Sequence, residues 1–169
     1  MKVKIKKLTE NAKIPTKAYN KDFCYDVYAT SCKRVGWRTW EYGIGLAFEI
    51  VRLPDNPFGD IVYSIVGGYP NLNQILSSKE VNISLDFRPR SSVWKTGMIL
   101  SNCEGTLDEL YRGEIKAVFY RINIFGKKYK VGDRIGQIKL GFTLPIEFEE
   151  GEIDTNTERG TGGFGSTGK

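Results

Sequence analysis

Short runs of β-branched and aromatic residues, repeatedly broken by turn signals, constrain the fold of this 169-residue chain more than any other feature. These runs have the length and composition typical of strands. They cover residues 1–8, 45–51, 60–66, 114–124, 129–131 and 135–140. The turn signals include Pro54-Asp55, Asn56-Pro57, Gly67-Gly68, Tyr69-Pro70 and Gly126. The pattern predicts an all-β sandwich or barrel, with the first run as an edge or exchanged strand.

The composition is that of a single globular domain with a sizeable core, at 40% hydrophobic and 12% aromatic residues. No apolar run approaches the roughly 20 residues that a membrane span needs, and the N-terminus lacks the apolar segment of a signal peptide. Cys24, Cys32 and Cys103 are unevenly spaced, without a Cys-x-x-Cys pair. We therefore expect a cytoplasmic protein without membrane contact, structural zinc or a disulfide framework.

The absence of histidine excludes several kinds of active site. It removes Ser-His-Asp and Cys-His nucleophilic schemes, histidine bases and histidine metal ligands. In a hydrolase of this composition, carboxylates must manage the proton and any metal. Oxygen ligands favour a hard cation such as Mg²⁺. The net charge of +5 is compatible with an anionic substrate but is also that of an ordinary solvated surface.

The C-terminal tail, residues 159–168, combines five glycines with one arginine, one phenylalanine and several hydroxyls. Such a segment builds no core, because glycine loses much backbone entropy on ordering and packs nothing. Arginine provides a planar fork for phosphate oxygens, and glycine lets backbone N–H groups approach an anion. A phenylalanine ring provides a flat face for a base. The tail predicts a nucleotide-binding segment that orders around its ligand; the alternative is a flexible Gly/Ser tail.

Five segments, in order from residue 22 to residue 168, resemble the motifs of one enzyme family. They are Asp22-Phe-Cys-Tyr-Asp26-Val-Tyr-Ala29, Pro89-Arg90-Ser91-Ser92-Val93 with Lys95-Thr-Gly97, Gly105-Thr-Leu-Asp108-Glu-Leu-Tyr111-Arg-Gly113-Glu114, Gly132-Asp-Arg-Ile-Gly-Gln137-Ile138, and Arg159-Gly-Thr-Gly-Gly-Phe-Gly-Ser-Thr-Gly168. One such match arises often by chance, but five in order are specific. On these motifs the chain resembles the trimeric deoxyuridine triphosphatases (dUTPases), except in a middle stretch.

The resemblance implies a jelly-roll-like subunit in a homotrimer, with the C-terminal tail ordered over a neighbouring active site. Residues 1–150 would form the folded domain and 151–169 a flexible arm. The implied activity is Mg²⁺-dependent hydrolysis of dUTP to dUMP and pyrophosphate, which keeps uracil out of DNA and supplies dUMP for thymidylate synthesis. The expected partners are the nucleotide and other copies of the chain, not nucleic acid. A viral protein would act in the host cytoplasm or nucleus.

The resemblance also assigns roles to single residues. Asp108 would be the general base that orients the attacking water, and Asp26 would hold Mg²⁺ through water. The remaining substrate-binding residues divide between phosphates, sugar and base. Arg90, Ser91, Ser92 and Gln137 would contact phosphates, Tyr111 the deoxyribose, Asn102 and Gly105 the uracil, Arg159 the terminal phosphate, Phe164 the uracil face, and Gly165, Ser166 and Thr167 the phosphates.

Without the motifs, each of these residues has a simpler interpretation. Asp108 could cap its own turn, Tyr111 could belong to the core, and Gln137 could face solvent. Cys24 stands where the family usually has glycine. If that position has a positive φ, cysteine would strain the turn by about 1 kcal/mol or more.

The middle stretch, about residues 52–80, is longer than the family normally has. Within it, residues 72–79 form the one helix candidate of the chain. The stretch could be a lid or a surface for a protein partner, but a tolerated surface insertion costs little loop-closure entropy and is favoured.

Three other functions remain open at this point. A nucleotide-sensing regulator could keep the site without turnover and bind a protein partner through residues 52–80. A dCTP deaminase relative would share part of the second motif but would lack the tail. A nucleic-acid module is poorly supported, because few aromatic residues interleave with the basic N-terminus.

Overall fold

The computed structural model describes residues 2–52, 81–160 and 162, and within them the protein is all-β, as predicted. The expected strand 60–66 and helix 72–79 lie outside the described residues. Ten strands and one 3₁₀ helix occur in the described part. The strands are β1 Lys2–Lys7, β2 Tyr25–Tyr28, β3 Lys33–Arg34, β4 Thr39–Gly43, β5 Leu46–Val51, β6 Asn82–Arg88, β7 Met98–Leu100, β8 Gly105–Asp108, β9 Lys116–Arg121 and β10 Arg134–Thr143; the 3₁₀ helix is Ser91–Lys95.

The strands form two four-stranded antiparallel sheets and a smaller two-stranded one. The first large sheet has the order β2-β10-β6-β8, and the second has the order β3-β4-β9-β7. Among the described residues strand β1 pairs only with β5, with Val3 opposite Ile50, as predicted for an edge strand. None of the helical structure in the described ranges is long and apolar enough to cross a membrane.

Aromatic side chains fill the space between the two large sheets. Phe87 from β6 meets Phe119 from β9 edge-to-face, with ring centroids 6.3 Å apart. The ring of Tyr42 lies 5.8 Å from that of Phe119, and its buried hydroxyl donates to the carbonyl of Tyr129 at 3.0 Å. Burial is the main reason that the pKa of Tyr42 is raised. Gly136 is required here, because a Cβ at this position would lie 2.2 Å from Phe87 Cζ.

The predicted strand at residues 129–131 is wrong, because this segment bends instead of pairing with a neighbour. Lys130 N donates to the Asp133 carboxylate at 2.7 Å, and Asp133 N donates back to the Lys130 carbonyl at 3.1 Å. Gly132 completes the turn at φ 91°, a conformation that favours glycine. The turn buries Tyr129 and directs the chain into β10, where the fourth motif begins.

Candidate active site

The register of the first large sheet aligns the motifs across its strands. Asp26 on β2 lies opposite Gln137 on β10, and Gln137 lies opposite Arg88 on β6. Directly opposite residues of antiparallel strands share a face of the sheet. The first and fourth motifs therefore meet at one end of this sheet, where the second motif leaves β6.

Asp26 is the centre of this end and is only 5% exposed. Arg134 Nη1 donates to Asp26 Oδ2 at 3.0 Å, and Gln137 Nε2 donates to Oδ1 at 3.4 Å. Arg90 Nε lies 3.0 Å from Oδ1. That contact is an ion pair without hydrogen-bond alignment, since Arg90 Nε has no hydrogen-bond partner in the described part of the chain. We call these four residues the Asp26 cluster; it places one buried carboxylate between two guanidinium groups.

The second motif continues directly from this cluster. Arg90 precedes the 3₁₀ helix Ser91–Lys95, and its carbonyl accepts a hydrogen bond from Val93 N at 2.9 Å. Ser91 is exposed and Ser92 is half-buried in that helix. Gly97 is required behind it, because a Cβ there would lie 2.5 Å from the Asn123 carbonyl oxygen. The predicted phosphate-binding residues therefore sit on a short, tightly packed turn.

The Asp26 cluster supplies one carboxylate to any metal ion. Among the residues that the structure describes, no group of three or more His, Cys, Asp or Glu could hold an ion. Both oxygens of Asp26 already contact cations, so direct ligation by a protein cage does not fit. Mg²⁺ commonly keeps several waters and takes other ligands from substrate phosphates. A single carboxylate fits an ion of that kind, held through water.

The third motif occupies the opposite edge of the same sheet, where β8 pairs with β6 and a turn then reverses the chain; we call residues 102–111 the Asp108 hairpin. Asp108 is the last residue of β8, lies opposite Ser84 and is exposed. Its carbonyl accepts a hydrogen bond from Tyr111 N at 2.9 Å, and the Tyr111 hydroxyl donates to the Glu114 carbonyl at 3.0 Å. Tyr111 is 41% exposed, so it is not a core tyrosine.

An ion pair fixes the turn that follows Asp108. Arg52 Nε donates to Glu109 Oε1 at 2.8 Å and Nη2 to Oε2 at 2.5 Å. The hydrogen bond from Arg52 lowers the pKa of Glu109 below its ordinary value. Arg52 Nη2 also donates to the Val81 carbonyl at 2.8 Å. One guanidinium thus joins the two edges of residues 53–80 to the Asp108 turn.

The two halves of the predicted site do not meet within one chain. Along β6, the row through Arg88 and Gln137 is four residues from the row through Ser84 and Asp108. Four residues of strand span roughly 13 Å, and the three strand spacings from β2 to β8 span roughly 14 Å. Asp26 and Asp108 are therefore roughly 20 Å apart in the sheet, given these spacings. This is too far for Asp108 to act on a phosphate bound at the Asp26 cluster.

The tip of the hairpin has the unusual backbone of this region. Asn102 and Gly105 flank Cys103, whose φ is 57°. Cys24 does not have a positive φ, so the strain considered for the first motif does not arise there.

In the tail, Arg159 is exposed and its Nε donates to the Gly162 carbonyl at 3.0 Å. Phe164, Gly165, Ser166 and Thr167 lie outside the described residues.

Sequence reasoning missed two charged groups of this sheet. Arg134 lies in the fourth motif, but only the register of β10 against β2 shows that it reaches Asp26. Asp86 is buried. Its Oδ2 accepts a hydrogen bond from Lys139 Nζ at 2.5 Å, and its Oδ1 accepts one from Ser84 Oγ at 2.7 Å. Burial alone would raise the pKa of Asp86, but the hydrogen bonds from Lys139 and Ser84 outweigh it and the pKa is lowered. In both cases the available signal was a charged residue inside a segment whose sequence alternates like a strand.

Comparison with known proteins gives a consistent family. A sequence model described as dUTPase matches residues 85–168. The deoxyuridine 5'-triphosphate nucleotidohydrolase of Nautilia profundicola is 33% identical over 172 residues, covering 100% of both chains. The enzyme of the same name from Clostridium tetani is 31% identical, covering 99% of this chain and 97% of its own. The deaminase and regulator alternatives gain no support from these sequence relatives.

Solved structures show the same fold. Staphylococcus bacteriophage 80alpha dUTPase with dUPNHPP superposes with a TM-score of 0.67 at 20% identity, covering 99% of each chain. The dUTPase of S. aureus phage phi11, a structure that visualises a species-specific insert, has a TM-score of 0.60 at 14% identity, covering 93% of this chain and 100% of its own. With sequence relatives that match along the whole chain, we conclude that this protein belongs to the dUTPase family.

Proposed function

We propose that this protein hydrolyses dUTP to dUMP and pyrophosphate in a Mg²⁺-dependent reaction. The observation that carries the proposal is the Asp26 cluster, in which residues of three motifs converge on one buried carboxylate. Its donors, Arg90, Arg134 and Gln137, are of the kind that bind phosphate oxygens. The names of the sequence relatives support deoxyuridine triphosphate as the substrate.

The Asp26 cluster would act on the phosphates by positioning and by charge. Asp26 holds the guanidinium of Arg90 beside the Ser91–Ser92 turn, so the fork and the hydroxyls are oriented before the substrate arrives. Mg²⁺, when bound, would neutralise charge that develops on the phosphate oxygens. Gln137 can donate to a phosphate oxygen or to a water near them.

Asp108 would accept the proton of the attacking water. Its carboxylate is exposed at the end of β8, so a water molecule can reach it. The neighbouring Tyr111 ring is fixed by its hydroxyl and is open to solvent on one side, as a platform for the deoxyribose requires. Asn102 and Gly105, at the tip of the same hairpin, would contact the uracil. Sugar, base and general base would then all be served by one hairpin.

A complete site requires a second copy of the chain, because Asp108 is roughly 20 Å from Asp26 by strand spacing. We propose a homotrimer in which residues 1–150 form the body and 151–169 an arm that reaches a neighbouring site. The apolar residues at the end of β10 and directly after it support this arrangement. Phe142, Leu144, Ile146 and Phe148 alternate along the chain and are all exposed. Exposed apolar stretches of this kind mark contacts with another surface.

Pyrophosphate release from dUTP, dCTP, dTTP and UTP, with Mg²⁺ and with EDTA, tests the proposal. We expect turnover of dUTP with Mg²⁺ and little turnover otherwise. Asp108→Asn should keep nucleotide binding and lower kcat by at least ~10², the scale for losing a positioned base. Equal activity on dCTP or UTP would contradict the substrate assignment. Nearly unchanged turnover in Asp108→Asn would show that Asp108 is only a turn residue.

A further inference from the structure

The turn between β7 and β8 holds a strained backbone beside a pair of cations. Within residues 2–52, 81–160 and 162, Cys103 is the one non-glycine residue with positive φ, at 57°. Glu104 N donates to the Asn102 carbonyl, two residues back, which closes a three-residue turn around Cys103. Such a conformation is unfavourable for a non-glycine residue and persists only where its surroundings hold it.

The side chain of Glu104 anchors the turn to neighbouring strands. Its Oε1 accepts a hydrogen bond from Arg88 Nε and lies 3.9 Å from Lys139 Nζ. Arg88 ends β6, and Lys139 lies within β10. Lys139 is itself fixed by Asp86, and both of these side chains are nearly buried. Glu104 thus fastens the turn to two strands that do not belong to the hairpin.

What this turn carries is the proposed contact with the base. Asn102 precedes Cys103, and Gly105 follows Glu104 against the backbone-proximal part of Phe87, which a Cβ at Gly105 would approach to 3.4 Å. The register of β8 against β6 holds Gly105 opposite Phe87, so a change in the Cys103 dihedrals would displace Asn102 relative to Gly105. On the basis of the proposed function, we infer that Glu104 is a positioning residue whose pairing with Arg88 and Lys139 sets the selectivity for uracil over other bases.

Selectivity, rather than stability, is where the pairing should act. The Arg88 side chain is 51% and that of Glu104 35% exposed, and ion pairs with that exposure contribute little to folding. A small displacement of a substrate contact has a larger effect on rate, since a misplacement of about 1 Å can cost up to about 10²-fold. The pair therefore has more influence on the base-binding geometry than on the fold.

The test compares Glu104→Gln with Glu41→Gln, a matched control in the second sheet. Glu41 pairs with Lys116 at 3.0 Å, at 29% and 45% exposure, and belongs to a different ion pair from Glu104. For each variant kcat, KM and the kcat/KM ratios of dUTP to dCTP and of dUTP to dTTP are measured, together with Tm. Glu104→Gln should raise KM for dUTP and lower both ratios by about tenfold, with kcat at saturation within about threefold. Glu41→Gln should change none of these.

Two further variants separate positioning from a general loss of structure. Adding Cys103→Gly to Glu104→Gln should restore part of the selectivity, because glycine adopts this φ without the hold. Arg88→Met and Glu104→Gln should be non-additive in the dUTP to dCTP ratio, as expected for residues in contact.

The outcomes distinguish this inference from the proposed function. A wild-type protein without selective dUTP hydrolysis would reject the proposed function and the inference together. Selective wild-type hydrolysis with unchanged ratios in Glu104→Gln would reject the inference alone. A large fall in Tm for Glu104→Gln, with no rescue by Cys103→Gly, would also overturn it, since Glu104 would then serve the fold.

Discussion

The Asp26 cluster and the Asp108 hairpin lie at opposite edges of one sheet, but only the Asp26 cluster is assembled within the chain. Asp26 is buried against Arg90, Arg134 and Gln137. At the hairpin, Asp108 is exposed and the adjacent Leu110 is 83% exposed. Burial of this exposed leucine side chain against another surface would be favourable, because apolar surface is removed from water. The difference supports the proposed arrangement, in which one chain completes the charge-handling half of the site and would present the other half to a neighbour.

The two halves differ because the Asp26 cluster lies across paired strands, whereas the Asp108 hairpin lies at an edge strand. The Asp26 cluster lies along a row of paired strands, so its geometry follows from the register of the sheet. The Asp108 hairpin includes β8, which is the edge strand of that sheet among the residues that the structure describes. An edge strand has one side without a neighbour in its own sheet. A surface proposed to combine with another subunit is well placed there.

The largest expected effect concerns whether the two halves serve different subunits. One inactive protein carries Asp108→Asn and the other is truncated before Arg159. After mixing in equal amounts and subunit exchange, a site works only if its Asp108 donor and its tail donor are both intact. Independent assembly into a symmetric trimer gives about one half times one half, or about a quarter of wild-type sites. Activity that rises from near zero to this level, measured as pyrophosphate release, would support the shared site.

The same mixture contradicts the shared site if nothing is recovered. When a tail acts on its own subunit, every subunit of the mixture lacks one part and no site works. Subunit exchange is confirmed first, for example by mass measurement of mixed oligomers. Wild-type protein carried through the same exchange provides the reference rate.

A second and smaller effect compares the stability of the two halves. Asp26→Asn leaves two guanidinium groups facing each other without their anion and should lower the free energy of unfolding by about 2 kcal/mol. Asp108→Asn changes an exposed carboxylate and should stay within about 0.5 kcal/mol of wild type. Urea unfolding of both variants measures this. Equal values for the two would show that the Asp26 cluster is not held together more tightly than the hairpin.

The sequence predicts this molecule best where a single segment carries the information. The all-β class and strands such as β5 and β10 follow from local runs of residues. Asp26, Arg90 and Gln137 were predicted from separate motifs, and the structure brings them together. Their roles, and those of Asp108 and Tyr111, remain predictions.

What the sequence could not predict depends on long-range register or on backbone geometry. Arg134 reaches Asp26 only because β10 pairs with β2, and Glu104 reaches Arg88 only because β8 pairs with β6. Residues 129–131 alternate like a strand, but burial of Tyr129 and the following turn decide otherwise. The positive φ of Cys103 rather than Cys24 has no signal in the residue types.

The smallest expected effect concerns residues 53–80, the connection between β5 and β6. Arg52 Nη2 donates to the Val81 carbonyl, so the two edges of this stretch lie next to each other. A short glycine-containing turn can therefore replace residues 53–80, while Arg52 still pairs with Glu109. Shortening a connection between two strands changes loop-closure entropy only slightly. We expect kcat/KM for dUTP within about threefold of wild type and an unchanged oligomeric mass, as for a tolerated insertion.

Arg52→Met in the full-length chain is the matched control for this deletion. It keeps residues 53–80 but removes both hydrogen bonds to Glu109, so the turn after Asp108 loses its anchor. We expect kcat to fall more in Arg52→Met than in the deletion variant, because only the substitution removes the anchor of the turn after Asp108, the proposed general base. If instead the deletion abolishes activity while assembly is retained and Arg52→Met is nearly neutral, residues 53–80 themselves shape the site. The hairpin half would then depend on a second segment of its own chain, and the contrast with the Asp26 cluster would be weaker than the described contacts indicate.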